Sequence, residues 1–375
     1  MTEALAALSL AVWIYFLCAR GRFWCMREES PPPLDAGPAP SVVAVVPARN
    51  EAASVGQAAG SLAAQQYPGP FSIVLVDDSS DDGTADLARA AAPPGRLRVV
   101  AARPLPPGWT GKMWAVAEGV RAAGECDYLL LTDADIVHRP GNLAGLVARA
   151  RAGDLDLVSY MARLRCRSAA ERALIPAFVF FFFLLYPPAW IADPRKSAAG
   201  AAGGCILIRR SALQRIGGIE RIRSEVIDDC ALARAVKSSG GRIWLELNGA
   251  AASLREYGSF AEIGRMISRT AFTQLEYSAW MLAGTVLGLA LTYLVPPVLT
   301  LLAATGLTRA LAAAAWAVMS AVYLPALRYY RRMWLWAPLL PAVALFYSEA
   351  TVWSAVDYWR GRGGQWKGRT AAPPR

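Results

Sequence analysis

The stretch Tyr128-Leu129-Leu130-Leu131-Thr132-Asp133-Ala134-Asp135 decides the fold. Its apolar run predicts a buried strand of an α/β sheet, and the aspartates that follow mark the carboxyl end of that strand, where open sheets bind ligands. In an extended chain Asp133 and Asp135 point to the same side, and two carboxylates so placed suit Mg²⁺ or Mn²⁺. A solvated turn or a helix cap explains an isolated Asp-X-Asp equally well, so the interpretation depends on the neighbouring segments.

Strand-turn-helix units surround this stretch. The residue pattern predicts strands over 41–46, 71–76 and 97–101 and helices over 54–66, 85–92 and 114–123. Such alternation predicts a mostly parallel sheet, whose strands all end at one edge. We expect the polar residues that follow the strands to converge at that edge: Asn50, Glu51, Asp77, Asp78, Asp133 and Asp135.

The acidic loops lack the glycine spacing with which backbone amides hold phosphates. We therefore expect a nucleotide site that is lined by carboxylates, with a metal ion that neutralises the phosphates. In the second loop Asp77 and Asp78 are the expected ligands. Asp81 or Asp82 is expected to accept backbone N–H bonds from the helix that follows.

Composition points to a membrane protein. The chain has 375 residues, of which 55% are hydrophobic, and a formal net charge of +10 that comes almost wholly from arginine. Many arginines flank apolar segments, which favours anionic lipid headgroups over nucleic acid as partners. Six scattered cysteines and a single histidine argue against a zinc site, and reduced thiols fit a cytosolic domain.

Apolar segments lie at both ends of the chain. Residues 1–22 are expected to form an uncleaved transmembrane anchor and residues 23–40 a proline-rich linker. Residues 277–358 are expected to form transmembrane helices and residues 359–375 a basic tail. Three complete crossings would place the arginines after the second and third runs on opposite sides, against the positive-inside tendency, so one run is expected to be a hairpin or to lie in the interface.

Three motifs, in their order and spacing, resemble the nucleotide-sugar half of family 2 glycosyltransferases, which have the GT-A fold. They are Val46-Pro47-Ala48-Arg49-Asn50-Glu51, Val76-Asp77-Asp78-Ser79-Ser80-Asp81-Asp82-Gly83-Thr84 and Asp133-Ala134-Asp135. The resemblance covers residues 41–257. It implies a donor site at Pro47, Asn50, Glu51, Asp77, Asp78 and Asp133 and a divalent metal, Mg²⁺ or Mn²⁺, on Asp133 and Asp135. Gly108-Trp109-Thr110-Gly111-Lys112 and the C-terminal helices look most like the bacterial hopene-associated glycosyltransferases.

Further residues follow from the same resemblance. Gly203 and Gly204 correspond to a segment beside the transferred sugar, and Glu225 to Asp229 correspond to the Glu/Asp-Asp motif whose last aspartate, Asp229, is the catalytic base, with Asp228 beside it. Simple capping of a helix is the alternative for both aspartates. Lys112 either adds positive charge near the phosphates or is a solvated lysine, and His138 is left as a loop residue or a residue behind the ligands.

Two segments bear on the acceptor. The polysaccharide synthases of the family carry Gln-x-x-Arg-Trp, whereas Met266-Ile267-Ser268-Arg269-Thr270 keeps only the arginine, so non-processive transfer is expected. Arg269 is expected to meet diphosphate or lipid headgroups from an interfacial amphipathic helix over 258–276. The apolar segment 174–192 lies between Asp135 and Asp229, which must share one site, so we expect an interfacial or re-entrant segment; a buried core helix is the alternative.

The expected protein is a multi-pass enzyme of the cell's inner membrane, with an α/β GT-A domain that faces the cytoplasm. The resemblance implies inverting, metal-dependent transfer of a sugar from a nucleotide-sugar, expected to be a UDP-sugar, to a lipid acceptor of the hopanoid type. Transfer to a polyprenyl phosphate is the second hypothesis. A third is a non-catalytic membrane scaffold with a degenerate glycosyltransferase domain.

Overall fold

The computed structural model describes residues 1–35, 37–362, 365–366 and 369–370. The chain divides into two compact units. The sheet unit comprises Glu28–Arg165 and Trp190–Glu256, together with a short strand pair near the C-terminus, and the helical unit comprises Met1–Arg27, Cys166–Ala189 and residues 257–362. Ala36 of the expected linker and most of the expected basic tail lie outside the described residues.

Eight strands form the sheet of the sheet unit. They are β1 (Val42–Ala48), β2 (Phe71–Asp77), β3 (Leu97–Ala101), β4 (Tyr128–Leu131), β5 (Ile136–His138), β6 (Leu157–Arg163), β7 (Ile206–Arg209) and β8 (Ile243–Ser253). Every residue of β1 and β4 is buried, because the apolar runs of these strands are covered on both faces. The separate pair consists of β9 (Gln365–Trp366) and β10 (Arg369–Thr370).

Helices connect the strands of the sheet unit. They are α2 (Val55–Ala63), α3 (Thr84–Ala90), α4 (Gly111–Ala122), α5 (Asn142–Ala152), α8 (Arg210–Arg215), α9 (Asp228–Ser238) and a 3₁₀ turn over Ile219–Ile222. Helix α4 packs closely on the sheet at Gly119, where an added Cβ would lie 2.4 Å from Cγ1 of Val45. Only glycine permits this approach without displacing the strand.

Strand register brings the loops of the first half of the sheet to one edge. The strand order is β3-β2-β1-β4-β7-β6-β8-β5. In the parallel ladders Ala48 lies opposite Asp77, and Val45 lies opposite Leu131. The residues that follow β1, β2 and β4 therefore emerge at the same edge, as the sequence predicts, although β4 ends three residues short of the end of β1.

The second half of the sheet differs from the mostly parallel arrangement that we expected. Strand β7 pairs antiparallel with both β4 and β6, and β5 pairs antiparallel with β8, while β6 and β8 are parallel. The pattern of buried residues within a strand records which faces are covered but not the direction of its neighbour. The sheet is therefore mixed.

The helical unit contains the apolar segments. Its helices are α1 (Thr2–Cys18), α6 (Ala169–Leu185), α10 (Phe260–Gln274), α11 (Ala279–Leu289), α12 (Val295–Leu302), α13 (Gly306–Tyr329) and α14 (Leu340–Trp359); the short α7 (Pro188–Ala192) follows α6. Among the described residues, four helical stretches are long and apolar enough to cross a membrane: Ala169–Ala192, Ala279–Leu302, Gly306–Tyr329 and Trp334–Trp359. The N-terminal helix, expected as an anchor, is apolar but has only 17 residues.

Pro296 and Pro297 interrupt the regular α-helix in the middle of the apolar stretch Ala279–Leu302. Residues Ala290–Leu294 are π-helical between α11 and α12. Pro296 lacks an N–H, so the Thr292 carbonyl has no helical donor four residues later. Trp13 of α1 supplies the donor instead, with its Nε1 2.8 Å from the Thr292 oxygen.

Candidate active site

The loops after β1 and β2 are joined by hydrogen bonds. The N–H of Asp81 donates to Oδ1 of Asn50 at 3.1 Å, and the N–H of Glu51 donates to Oγ1 of Thr84 at 2.9 Å. Asp82 accepts from the N–H of Ala52 at 3.0 Å and from the N–H of Thr84 at 3.1 Å. Asp82, rather than Asp81, thus accepts the N–H bonds predicted for this pair. The cap residue of α3 itself is Gly83.

Asp77 is the last residue of β2, and Asp78 follows it. The side chain of Asp78 is 1% exposed and lies 3.7 Å from Nη1 of Arg49, which also donates to the Asp78 carbonyl oxygen. Oδ1 of Asp77 is buried without a hydrogen-bond partner in the part of the chain that the structure describes. Burying an acceptor in this way is costly unless a ligand satisfies it.

Acidic side chains gather beyond β4. Burial together with the charges of Asp133 and Glu51 raises the pKa of Asp135 to about 6, while Arg255 and Lys112 act in the opposite direction. Each of these negative charges disfavours the ionised form of Asp135. A divalent cation would offset this negative charge, so the donor set fits Mg²⁺ or Mn²⁺.

Lys112 lies at the centre of the site. Its Nζ is 3.1 Å from Oδ1 of Asp133 and 3.2 Å from Oδ2 of Asp228. Thr110 caps the amino end of α4 by accepting from the N–H of Met113, and this cap orients the turn that carries the lysine. Burial alone would lower the pKa of Lys112, but the surrounding aspartates outweigh it and raise the pKa, so the ammonium stays charged.

Asp229 is held by two backbone donors. The N–H of Gly203 lies 2.8 Å from its Oδ2, and the N–H of Cys230 lies 2.7 Å from its Oδ1. A Cβ at position 203 would lie 3.3 Å from Oδ2 of Asp229, which is tighter than an ordinary contact, so glycine suits this approach. Burial and the neighbouring Asp228 raise the pKa of Asp229 to about 6, although Lys112 and the two N–H groups lower it.

One cavity brings six of the expected residues together, whereas its wall does not include Asn50, Glu51, Asp77, Asp78, Asp135, Gly204 or Arg269. Lys112, Asp133, Asp228 and Asp229 provide charged groups in its wall. Pro47 and Gly203 contribute to the same wall, and the rest is mainly aliphatic: Met113, Val116, Leu131, Ile206, Ile219, Ile222 and Leu232.

Some residues of the site were not foreseen, and Gly204 and Arg269 were expected in the site but do not line the cavity. Sequence reasoning assigned no role to Arg49 or Arg255, although Arg49 stands inside the first motif. Gly204 lies behind the cavity, where an added Cβ would be 3.1 Å from Ile136. Arg269 belongs to α10 of the helical unit and is exposed there.

The sequence of this chain matches the model of a known protein family. The model of the family described as "Glycosyltransferase like family 2" matches residues 38–267, which is more than half of the chain. The chain belongs to glycosyltransferase family 2. For this family 2 glycosyltransferase the predicted family and the GT-A type of α/β fold are confirmed. A comparison with curated protein sequences finds no match.

Several solved structures are similar to this family 2 glycosyltransferase. A mannosyltransferase from Pyrobaculum calidifontis, in complex with GDP-Man and Mn²⁺, is 19% identical with a TM-score of 0.57, and the match covers 95% of this chain and 99% of the mannosyltransferase. Glucosyl-3-phosphoglycerate synthase from Mycobacterium tuberculosis, in complex with Mn²⁺, UDP and glucosyl-3-phosphoglycerate, is 21% identical with a TM-score of 0.42 over 63% of this chain and 79% of the synthase. TarS from S. aureus is 16% identical with a TM-score of 0.43 over 76% of this chain and 54% of TarS.

Proposed function

We propose that this chain is a membrane-bound, inverting glycosyltransferase that moves one sugar from a nucleotide-sugar to the hydroxyl of a lipid. The observation that carries the proposal is one cavity that has Asp133, shortly after β4, on one side and the Asp228–Asp229 pair at the start of α9 on the other. Lys112 lies between them and forms ion pairs with both Asp133 and Asp228. Such a cavity offers a place for the leaving group on one side and for a base on the other.

The donor is assigned to the edge of the sheet formed by the loops after β1, β2 and β4. Asn50 and Glu51 brace these loops, and the unpartnered Oδ1 of Asp77 is placed to accept from the base or ribose. GDP-Man is the nucleotide-sugar in the mannosyltransferase from P. calidifontis. For this chain we propose a nucleotide-sugar, with UDP-sugars as the first to test.

The metal is assigned to Asp133 and Asp135. Within the described residues no three His, Cys, Asp or Glu side chains form a ready metal cluster, so the oxygens of the diphosphate would have to complete the coordination. When bound there, a divalent cation would neutralise charge on the leaving diphosphate. Lys112 forms an ion pair with Asp133 and stays protonated. It would therefore add positive charge on the side of the cavity that faces α9.

Asp229 is assigned as the general base. With its pKa at about 6, the carboxylate is mostly ionised at neutral pH yet still basic enough to take a proton. Its two N–H donors fix its orientation toward the cavity. The acceptor oxygen attacks the anomeric carbon as its proton passes to Asp229 and the bond to the diphosphate breaks, which inverts the configuration.

The lipid acceptor is supported by the apolar helices of the helical unit and, for a hopanoid-type lipid, by the resemblance to hopene-associated enzymes. We propose that residues 41–257 without the segment 174–192 are the catalytic part, facing the cytoplasm, and that this segment and residues 277–358 belong to the inner membrane. The missing Gln and Trp around Arg269 favour transfer of a single sugar.

The test is transfer by the purified full-length chain in lipid nanodiscs, with UDP- and GDP-sugars carrying a labelled sugar, total bacterial lipid, and Mn²⁺ or EDTA. We expect a labelled lipid with Mn²⁺ that is lost with EDTA, in Asp135→Ala and in Asp229→Asn. Asp154→Asn, at an aspartate whose side chain is 75% exposed, is the matched control and should retain activity. A folded wild-type protein that turns over no donor would overturn the enzymatic proposal and favour a scaffold.

Polyprenyl phosphate remains the second acceptor hypothesis. A phosphate acceptor is already ionised and needs no base to remove a proton. Transfer to polyprenyl phosphate that survives in Asp229→Asn would therefore support it, whereas dependence on Asp229 supports a hydroxyl acceptor.

A further inference from the structure

A buried chain of hydrogen bonds links the end of β4 to the start of β7. The hydroxyl of Thr132 donates to the Gly204 carbonyl oxygen at 2.8 Å and lies 2.9 Å from Nε2 of His138. On the other side of the ring, Nδ2 of Asn142 lies 2.8 Å from Nδ1 of His138. Thr132, His138 and Asn142 are 1%, 5% and 2% exposed.

The donors and acceptors of this chain select one form of the imidazole. The Thr132 hydroxyl has a single proton, which is directed to the Gly204 oxygen, so it must accept from Nε2–H of His138. Nδ1 then carries a lone pair that accepts from the Asn142 amide. The ring is neutral and both nitrogens are satisfied, and its burial lowers the pKa of His138 to about 4.

The contact lies between the two halves of the proposed site. The β4–β7 ladder ends at Leu131 opposite Ile206, so the Thr132–Gly204 bond continues the pairing with a side chain after the backbone pairing has stopped. Asp133 follows Thr132 directly. Gly203, which precedes Gly204, donates to Asp229.

We propose that His138 is a positioning residue that fixes the spacing between Asp133 and Asp229 through Thr132 and Gly204. This role rests on the proposed function, in which these aspartates act on the two sides of the cavity. His138 itself contacts neither aspartate in this network. Without its Nε2–H, the Thr132 hydroxyl would keep its bond to the Gly204 carbonyl but lose the donor that fixes its orientation, so this bond would hold the strand ends less rigidly. Misplacement of reacting groups by about 1 Å is enough to cost roughly 100-fold in rate.

The experiment compares wild type, His138→Phe, His138→Gln, Thr132→Val and the double variant Thr132→Val/His138→Phe, as full-length protein in nanodiscs. Phenylalanine fills the space without hydrogen bonds, whereas glutamine retains an N–H donor. We expect kcat to fall about tenfold or more in His138→Phe and Thr132→Val with KM for the donor nearly unchanged, and His138→Gln to recover much of the loss. The double variant should lose no more than Thr132→Val alone, because Thr132→Val already removes the contact with His138 that His138→Phe removes.

An independent measurement uses the fact that His138 is the only histidine of the chain. Protein labelled with ¹⁵N-histidine and purified without a histidine tag gives the signals of one imidazole. We expect the proton on Nε2, and a changed Nε2 signal in Thr132→Val.

The outcomes separate the two proposals. A proton on Nδ1, or full kcat in both His138→Phe and Thr132→Val while the wild type is active, would overturn the positioning role alone. Equal losses of kcat in the glutamine and phenylalanine variants would also overturn it, because only the packing would then matter. A folded but inactive wild type would overturn the proposed function and the positioning role with it.

Discussion

Lys112 shows how one residue sets the charge balance of the site. Its ammonium touches a carboxylate of the Asp-X-Asp motif and a carboxylate of the pair at the start of α9. Without Lys112, the carboxylates of Asp133, Asp228 and Asp229 would line the cavity with no lysine ammonium between them. The alternative in which Lys112 is a solvated lysine is therefore wrong. The contact of Lys112 with phosphate remains a prediction.

The pH dependence of transfer tests Asp229. A base must be deprotonated to accept a proton, so kcat/KM should rise with pH up to about 6, the pKa of Asp229, and then level off. In Asp229→Asn we expect a loss of about 10²–10⁴-fold and a weaker limb, because the carboxylate of the base no longer contributes to it. An unchanged acidic limb in the variant would assign the titration to another group.

Asp135 should control the metal requirement. In Asp135→Asn the loss of one carboxylate should raise the Mn²⁺ concentration for half-maximal donor binding by about tenfold or more. Isothermal titration of the donor at several Mn²⁺ concentrations measures this shift. Asp229→Asn is the comparison, and an equal shift in that variant would contradict the assignment of the metal to Asp135.

His138 should make stability depend on pH in a predictable direction. Its pKa of about 4 in the folded protein lies below the ordinary value, so the unfolded state binds the extra proton between pH 6.5 and 4. Stability is therefore lost as the pH falls, by about 2 kcal/mol between pH 7 and 5. Asp135 and Asp229, with raised pKa values, act in the opposite direction over the same range.

Comparison with His138→Gln isolates this contribution, because the carboxylates are common to both proteins. The thermal midpoint of the wild type should fall relative to that of the variant as the pH is lowered from 7 to 5. A difference that stays constant with pH would mean that His138 has the same pKa in the folded and unfolded states.

At the scale of elements, the contact between α1 and the π-helical segment compensates for Pro296. Trp13→Phe preserves the aromatic packing but removes the donor to the Thr292 carbonyl, which then stays buried without a partner. We expect a cost of about 1–3 kcal/mol, seen as a lower thermal midpoint in detergent. Trp280→Phe, at a side chain that is 88% exposed, is the control and should change the midpoint little. Equal midpoints for Trp13→Phe and wild type would show that water or another group serves the carbonyl.

The pairing of α10 with α14 has a consequence for the membrane. The two helices run side by side in the same direction: Phe260 contacts Phe346, the N–H of Phe272 donates to Ser354 at 3.0 Å, and Tyr277 stacks on Tyr358. The exposed Arg265 and Arg269 lie on α10. Arginines are costly in hydrocarbon, so we expect α10 and the end of α14 to lie at the membrane surface.

For the whole molecule this arrangement favours a return of the chain to its starting side. Tyr358 stacks on Tyr277, two residues before α11, so α14 ends where the first C-terminal apolar stretch begins. If 279–302 and 306–329 cross, Arg328, Arg360 and Arg362 all come to one side, in accord with the positive-inside tendency. The final apolar stretch, Trp334–Trp359, would then enter the membrane without crossing it.

Cysteine labelling in sealed vesicles checks this topology. In a variant with serine at the exposed Cys18 and Cys25, we expect Arg328→Cys and Arg362→Cys to react from the same side and Ala304→Cys from the other. An impermeant maleimide, applied before and after permeabilisation, distinguishes the sides. Reaction of positions 328 and 362 from opposite sides would show that the last stretch crosses.

The sequence by itself determined the local elements and the kind of site. The first four strands lie within one or two residues of the predicted ranges, because alternating and continuous apolar runs reflect which faces are buried. Acidic residues after strands predicted a carboxylate-lined edge, because parallel strands bring their ends together. Helix α4 begins earlier than the pattern suggests, at Gly111, because its cap at Thr110 lies before the first apolar residue.

Only the tertiary structure decided the contacts that organise the site. The antiparallel placement of β7, the Gly203 donor to Asp229, the bridge made by Lys112 and the bond between Thr132 and Gly204 join segments that are far apart in the chain. Strand direction, register and helix packing place these groups, and no local pattern records them. The sequence therefore left His138 open, as a loop residue or a residue behind the ligands, and the fold places it at the end of β5 with Thr132 and Asn142 around its ring.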